Sequence, residues 1–184
     1  MKFFLSTIII FIFTSLNVLN AKELKIDEIK NLNSKVFFMR HALAPGFGDP
    51  ENFKLDDCST QRNLSSDGIN QAKKISNDFT RYDLKFTKVY SSYWCRCYET
   101  VKSMGLKNYH LHSGLNSFYQ NHLSKKEVIK DLRDLISSLD KKQGPYLFVT
   151  HYVVIGSYTK IFPDSGGIVV HDLNSKSNHA LQLF

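Results

Sequence analysis

The sequence has little cysteine and no long run of basic residues, and each shortage excludes a class of protein. Its 184 residues include three cysteines, none in a Cys-x-x-Cys pair, which excludes a disulfide-built miniprotein and a zinc ribbon. Lysine and arginine outnumber aspartate and glutamate by 24 to 17, but no RNP-type motif or zinc-finger spacing accompanies this excess. We therefore expect no nucleic-acid partner. With 42% hydrophobic and 22% charged residues, the chain is neither disordered nor collagen-like nor a multi-pass membrane protein, and its length predicts one domain.

Residues 1–21 have the three-part pattern of a secretory signal peptide. Lys2 precedes an uncharged, mostly apolar stretch at 3–16, and Ala21 stands before a charged segment that begins with Lys22. An uncleaved membrane anchor is the alternative, but a spanning helix needs about 20 apolar residues. We expect cleavage after Ala21, a domain of residues 22–184 without a membrane span, and export to the periplasm.

Export would place the three cysteines in an oxidising compartment, where one disulfide and one leftover thiol are expected. Cys58 could pair with Cys95 or with Cys97, and the spacing does not choose between them. Three free, buried thiols are a further alternative.

Strand patterns and helix patterns alternate along residues 22–184. Ser65 is a predicted N-cap, followed by Ile69, Ala72, Ile75 and Phe79 at helical spacing. Strands are predicted at 36–39, 88–91, 146–149, 168–170 and 180–184, and helices over about 93–104 and 152–161. A further helix is predicted to begin at the capping box Ser124–Glu127, to carry an apolar stripe through Leu139 and to end at Gly144-Pro145. This alternation predicts an α/β fold, a three-layer αβα sandwich with a mostly parallel central sheet.

Basic side chains follow three of the predicted strands. Arg40 and His41 come directly after the first, Arg96 lies just after the second, and His151 follows the third. In open α/β sheets ligands bind beyond the carboxyl ends of the strands. Arginine binds phosphate oxygens bidentately, and a neutral imidazole can attack phosphorus to form a phosphohistidine that water hydrolyses. The pattern therefore predicts phosphoryl transfer at this edge of the sheet.

Four motifs resemble the histidine phosphatase (phosphoglycerate mutase-like) superfamily, in its order and spacing, between Val36 and about Val170. They are Phe38-Met39-Arg40-His41-Ala42, the segment Asp57-Cys58-Ser59-Thr60-Gln61-Arg62-Asn63-Leu64-Ser65 with Gly68 and Gln71-Ala72, the stretch from Val89 to Thr100 with Ser91-Ser92 ahead of Arg96, and Val149-Thr150-His151. The resemblance implies a phosphoglycerate mutase-like fold, a small phosphorylated substrate, and neither a metal nor an organic cofactor.

The resemblance also implies roles for the basic residues. His41 would be the nucleophile that accepts the phosphoryl group, while Arg40, Arg96 and His151 would hold the phosphate oxygens and offset charge in the transition state. Arg62 is either a further phosphate contact or an ion-pair partner of Asp56 or Asp57. We interpret the remaining polar or small motif residues as turn and packing residues: Ser92, Thr100 and Gly68.

One departure from the family pattern concerns the general acid. Many members carry a glutamate or aspartate in a segment that begins with leucine, but the matching stretch 114–119, around Asn116, has no carboxylate. General acid catalysis is worth about 10²–10⁴-fold, so its absence implies a good leaving group or another donor. Phosphohistidine-type phosphatases of the superfamily also lack this acid, because a phosphoramidate leaves readily. Glu51, Asp56 and Asp57 are the alternative donors.

The hypothesis is an exported phosphatase that hydrolyses a phosphomonoester, or a phosphoramidate, through a phosphohistidine on His41. The first alternative is a non-catalytic pseudo-phosphatase that binds a phosphorylated ligand, and a mutase is a second. A metal site at His110-x-His112 is disfavoured because zinc sites take about three or four ligands and no His-Glu-x-x-His motif or nearby carboxylate completes this one. We therefore interpret these two as exposed edge-strand histidines. The oligomeric state is not predicted.

Overall fold

The computed structural model describes residues 24–29 and 31–183. The predicted signal peptide therefore lies outside the described residues. Within them, seven strands form one sheet with four α-helices and four short 3-10 turns around it. The strands are β1 (Leu24–Lys25), β2 (Lys35–Arg40), β3 (Lys88–Ser91), β4 (His110–Leu111), β5 (Tyr146–Thr150), β6 (Ile168–Asp172) and β7 (Asn178–Gln182); the helices are α1 (Ser66–Arg81), α2 (Cys95–Ser103), α3 (Lys125–Ser137) and α4 (Tyr152–Thr159); the 3-10 turns are Ile26–Glu28, Cys58–Thr60, Ser113–Leu115 and Tyr119–Asn121.

The sheet is mostly parallel, as predicted. Its strand order is β1-β7-β6-β2-β5-β3-β4. β2, β5, β3 and β4 run parallel to one another, as do β1 and β7, while β6 is antiparallel to both of its neighbours. The carboxyl ends of β2, β5 and β3 therefore lie side by side at one edge of the sheet.

Two hydrophobic cores, one on each face of the sheet, give the predicted three layers. In β2, Phe37 and Met39 pack against the α1 and α2 side, whereas Val36 and Phe38 pack against the α3 and α4 side. All four side chains are fully buried, because successive residues of a strand point to opposite faces. Burial of a Phe side chain stabilises the fold by roughly 1.5–3 kcal/mol.

The start of α1 packs closely against the loop that follows β2. Ser65 caps α1 as expected, accepting a hydrogen bond from the Gly68 N–H at 3.1 Å. Of the apolar residues at helical spacing, Ala72, Ile75 and Phe79 are buried, but Ile69, the first of them, is 38% exposed. A Cβ at Gly68 would lie 2.0 Å from the Leu43 carbonyl oxygen. Only a glycine allows this approach, which fixes the loop that follows His41.

Several predicted boundaries differ from those observed. α2 begins at Cys95, two residues later than predicted, with Trp94 as its N-cap. α3 ends at Ser137, several residues before the predicted end at Gly144-Pro145. At its start only one bond of the predicted capping box is present, from the Glu127 N–H to the Ser124 hydroxyl at 3.4 Å. α4 ends earlier because Lys160 adopts the left-handed conformation (φ 68°), and the last strand is β7, which begins and ends two residues before the prediction.

A disulfide joins Cys58 to Cys95, with their Cα atoms 5.7 Å apart, and Cys97 is free and buried. The bond connects the 3-10 turn Cys58–Thr60 to the first turn of α2. It thus fastens the loop between β2 and α1 to the helix that carries Arg96. Separately, no helix of the described residues has the length and apolar character needed to cross a membrane.

Candidate active site

The five basic residues predicted from the sequence line one cavity at the carboxyl edge of the sheet. This strand-end cavity has a volume of about 230 Å³ and is lined by Arg40, His41, Arg62, Arg96 and His151. Its other lining residues are the loop 46–48, Ser117, Tyr119 and Tyr152. A larger cavity of about 470 Å³ lies between α1 and β7 and contains none of the five. The convergence expected from three strand ends is therefore present.

His41 is held in the form that a nucleophile requires. Its Nδ1 lies 2.8 Å from the carbonyl oxygen of Ala42, and because a carbonyl can only accept, Nδ1 carries the hydrogen and Nε2 keeps its lone pair. The ring is buried. Burial, followed by the positive charges of Arg96, Arg40 and Arg62, holds the pKa of His41 well below its ordinary value. His41 is therefore neutral and nucleophilic at neutral pH.

His151 lies opposite, with its ring centroid 5.4 Å from that of His41. Its Nε2 is 3.1 Å from the Ser92 hydroxyl, which donates to Oδ1 of Asn116 at 3.0 Å. The Tyr93 N–H also donates to Oδ1 at 2.9 Å, which fixes the orientation of the amide. Since the single Ser92 hydrogen goes to Asn116, His151 donates from Nε2 to Ser92, and Nδ1 is the nitrogen left to take up a proton. Burial, with the charges of Arg96 and His41, holds the pKa of His151 well below its usual value.

Arg96 is held by a carboxylate that sequence reasoning missed. Both terminal nitrogens of Arg96 contact Asp49, at 2.7 and 3.2 Å, and the two side chains are only 4% and 3% exposed. Asp49 also accepts hydrogen bonds from the Trp94 indole and the Arg62 backbone N–H, both at 3.0 Å. Burial raises the pKa of Asp49, but these hydrogen bonds and the Arg96 charge outweigh it, so that the pKa lies below its ordinary value. Asp49 is an ionised residue that positions Arg96.

The two other arginines are fixed by backbone carbonyls. Arg62 donates to the carbonyls of Gly48, at 2.8 Å, and Ala44. Arg40 donates to the Pro163 carbonyl at 3.2 Å, and its guanidinium lies over the Tyr152 ring at 5.0 Å. The cavity is thus lined by three guanidinium groups and no carboxylate. An anion is the ligand that this charge distribution favours.

Two of these guanidinium groups keep an unused donor. The Nε atoms of Arg40 and Arg96 are buried and have no hydrogen-bond partner among the described residues. Buried polar atoms nearly always have a hydrogen-bond partner in folded proteins, so two buried donors without a partner beside one cavity need an explanation. Donation to the oxygens of a bound anion would supply it.

No protein-family model and no curated protein matches the sequence, but solved structures do. The protein histidine phosphatase SixA complexed with tungstate is 16% identical, with 79% of this chain and 93% of that chain covered and a TM-score of 0.56. A phosphoserine phosphatase from Entamoeba histolytica in complex with 3-phosphoglyceric acid is also 16% identical (79% and 94% covered, TM-score 0.53). A phosphoglycerate mutase from Plasmodium falciparum is 17% identical (83% and 91% covered, TM-score 0.52).

This chain has the phosphoglycerate mutase-like fold. The fold prediction is thereby confirmed, including the three layers and the mostly parallel sheet. In this phosphoglycerate mutase-like chain, the segment expected to hold a general acid supplies Ser117 to the cavity instead. Asn116 is buried and bonds to Ser92, as described above.

The three alternative acids stand apart from the cavity of this phosphoglycerate mutase-like fold. Glu51 and Asp56 are exposed, and Asp57 caps the 3-10 turn Cys58–Thr60 by accepting from the Ser59 N–H at 3.0 Å. None of them lines the cavity. Among the described residues neither aspartate pairs with Arg62, so the ion-pair alternative for Arg62 is wrong.

Two residues interpreted as packing residues contact the site. Ser92 bonds to His151, and Thr100 accepts from the Ala42 N–H at 3.0 Å while donating to the Arg96 carbonyl at 2.6 Å. The Ser-Ser and Thr positions of the Arg96 motif were the signal for them. Asp49 had no comparable signal, because it lies in a loop whose path the sequence does not reveal.

The remaining histidine and cysteine candidates have other roles. His112 accepts a hydrogen bond from the Gly114 N–H at 3.1 Å and caps the turn Ser113–Leu115, and His110 is exposed on the edge strand β4. Within the described part of the chain no group of three or more His, Cys, Asp or Glu could hold a metal ion. The Cys97 thiol lies 3.4 Å from Nε2 of His151, and burial raises its pKa to about 12. This thiol stays protonated and is not a nucleophile.

Proposed function

We propose that the protein is an exported phosphatase that hydrolyses phosphomonoesters through a phosphohistidine on His41. The observation that carries the proposal is a neutral imidazole whose Nδ1 is tied to a backbone carbonyl, in a cavity with three guanidinium groups and no carboxylate. The similarity to solved phosphatases supports it. Export is supported by the signal-peptide pattern of residues 1–21 and by the disulfide between Cys58 and Cys95, since such bonds persist in oxidising compartments.

The reaction has two steps, and the second restores the starting form of His41. In the first, Nε2 of His41 attacks phosphorus, the bond to the ester oxygen breaks, and its electron pair leaves with that oxygen. Arg40, Arg62 and Arg96 offset the charge on the phosphoryl oxygens, and Nδ1 of the neutral His151 accepts a hydrogen bond from the protonated phosphoryl oxygen of a monoanionic ester. In the second, water attacks phosphorus, the P–N bond breaks, and inorganic phosphate leaves with neutral His41 restored.

Hydrolysis of a chromogenic phosphate ester tests the proposal. In the presence of a chelator, the wild-type protein should turn over the ester, and His41→Ala should lose activity by a factor of 10³ or more, on the order of what removing a catalytic nucleophile costs. His110→Ala is the matched control, since this histidine is exposed on β4 and does not line the cavity, and it should keep activity. Activity that survives in His41→Ala, or that chelation abolishes in the wild type, would contradict the mechanism. Binding of phosphate without turnover of any ester would favour the pseudo-phosphatase.

Export is tested separately by fusing residues 1–21 to a reporter enzyme that is active only outside the cytoplasm. Reporter activity is expected. Its absence would overturn the export part of the proposal and leave the chemistry untouched.

A further inference from the structure

Aromatic side chains surround the mouth of the strand-end cavity. Phe47, Tyr119 and Tyr152 line it, and the Tyr119 and Tyr152 rings are 6.3 Å apart. Phe47 is 98% exposed and Tyr119 is 44% exposed. Single exposed apolar residues are ordinary, but three aromatic rings around one cavity form a patch of the kind that marks a binding site. No core packing explains the position of Phe47.

The Phe47 loop is fastened to the turn that carries Tyr119. Gln120, in that turn, accepts a hydrogen bond from the Asp49 N–H at 2.6 Å and donates to the Asp49 carbonyl at 3.2 Å. Gly48 has a φ of 66°, and a Cβ there would lie 2.6 Å from the Gln120 side chain. The backbone next to Phe47 is therefore fixed beside the cavity, and its exposed ring is left available to a ligand.

The cavity lacks a strong proton donor for the departing oxygen. Its lining contains no carboxyl group, and Asp49 behind it is ionised. His151 lines the cavity, but its pKa is held well below its ordinary value by burial and by the charge of Arg96, so it is neutral at neutral pH. The hydroxyls of Ser117, Tyr119 and Tyr152 are far weaker acids than a carboxylic acid. A leaving oxygen must therefore depart as an anion. A phenol has a pKa of about 10, whereas an alkyl alcohol is a far weaker acid, comparable to water, so a phenolate leaves far more readily.

The volume of the cavity also favours a small substrate with a single ring. At about 230 Å³, the cavity is below the range of roughly 300–1,000 Å³ that is usual for drug-sized ligands. It has room for a phosphate group on the arginines and one ring at the mouth.

We propose that the substrates of this site are aryl phosphates, that is, phosphate monoesters of a phenolic ring, with the ring held by Phe47, Tyr119 and Tyr152. This inference rests on the proposed function. Nε2 of His41 attacks phosphorus, the bond between phosphorus and the phenolic oxygen breaks, and the phenolate leaves with the electron pair and takes a proton from solvent. Water then hydrolyses the phosphohistidine. Free aryl phosphates and tyrosine-phosphorylated peptides share this chemistry.

The test compares phenyl phosphate, benzyl phosphate and ethyl phosphate as substrates of the full chain. Phenyl and benzyl esters both present a ring, but only phenyl phosphate has a phenolate leaving group. Because a general acid is worth about 10²–10⁴-fold, we expect kcat/KM for phenyl phosphate to exceed that for benzyl phosphate by at least 100-fold. A ratio below about ten would overturn the substrate class.

The aromatic contact is tested by Phe47→Ala, with Tyr82→Ala as the control, since Tyr82 is an exposed aromatic residue that does not line the cavity. Phe47→Ala should lower kcat/KM about ten-fold for phenyl and benzyl phosphate, in line with the loss of one ring contact, and leave ethyl phosphate unchanged. Equal effects of the two variants on phenyl phosphate would overturn the proposal, as would a phosphohistidine peptide hydrolysed faster than phenyl phosphate.

Two further arms complete the experiment. Ser117→Glu places a carboxyl group in the cavity and should raise activity on benzyl phosphate at least ten-fold relative to phenyl phosphate; an unchanged ratio would contradict the argument from the missing acid.

A phosphotyrosine peptide, compared with phenyl phosphate, distinguishes a phosphorylated peptide from a free aryl phosphate as the substrate. If no ester of any kind is hydrolysed, the proposed function itself fails; if hydrolysis depends on His41 but shows no preference for phenyl phosphate, only the substrate class fails.

Discussion

Asp49 offers a sharp test of how the site is built, because one carboxylate holds Arg96, the Arg62 backbone and Trp94. It accepts four hydrogen bonds, two of them from Arg96, and the ion pair is almost completely buried. Removing one partner of a buried pair costs about 3–5 kcal/mol. Asp49→Ala should therefore lower the free energy of unfolding by about that much. Asp49→Asn, which keeps the shape and one acceptor oxygen, should lower it by about 1.5–3 kcal/mol, the worth of a charge-assisted hydrogen bond.

Activity should fall along with stability, and for a separate reason. A displacement of about 1 Å in a positioning group can cost about 100-fold, so we expect Asp49→Asn to reduce kcat by 10- to 100-fold at a temperature well below its melting point. Urea unfolding and steady-state kinetics on the same preparation measure both effects. The Lys35–Asp172 pair, 2.8 Å long and at the far end of β2 and β6, supplies the control, since Asp172→Asn should keep kcat. An increase in kcat/KM for Asp49→Asn would refute the reasoning, because it would mean that the carboxylate competes with phosphate for Arg96.

Three further predictions concern the disulfide, Ser92 and His41. Cys58→Ser opens the bond to Cys95, which spans 37 residues, and should lower the free energy of unfolding by about 4 kcal/mol by loop entropy; denaturant curves that do not change on mutation or on reduction would contradict the disulfide. Ser92→Ala should reduce kcat/KM about ten-fold by releasing His151, and Ser92→Thr, which keeps the hydroxyl, should restore most of it; equal loss in both variants would argue for a packing role. The pKa of His41 in the free protein is held well below 6.5, so kcat/KM should keep its value as the pH falls below 6.5 and decline only when His41 is protonated. The substrate phosphate has its own pKa of about 6, and its titration is subtracted first. A fall in kcat/KM at or above pH 6.5 that depends on His41 would contradict this prediction.

The fold and the basic residues of the site could be predicted because their signals are local. The apolar run that forms β2 ends directly at Arg40 and His41, so the position of both follows once the sheet is parallel. The same reasoning places His151 after β5. A strand and the residue that follows it are specified by a few adjacent side chains, whatever the rest of the chain does.

The parts that the sequence did not predict depend on contacts between distant segments. Asp49 reaches Arg96 across 47 positions, and only the path of a loop with positive φ at Gly46 and Gly48 brings it there. Ile69 stands at helical spacing with Ala72 and Ile75, which are buried, but it is 38% exposed, and Gly68 packs against the Leu43 carbonyl beside it. Helical spacing alone carries no information about such an approach.

The central claim is that His41 carries the phosphoryl group during turnover. The most direct measurement mixes the protein with a phosphate ester, quenches the reaction within the first turnovers, and locates the phosphoryl group by peptide mass spectrometry. We expect a phosphoryl group on the peptide that contains His41, labile in acid and stable in base, and none in His41→Ala. A label on a serine or aspartate, or full turnover by His41→Ala, would contradict the account.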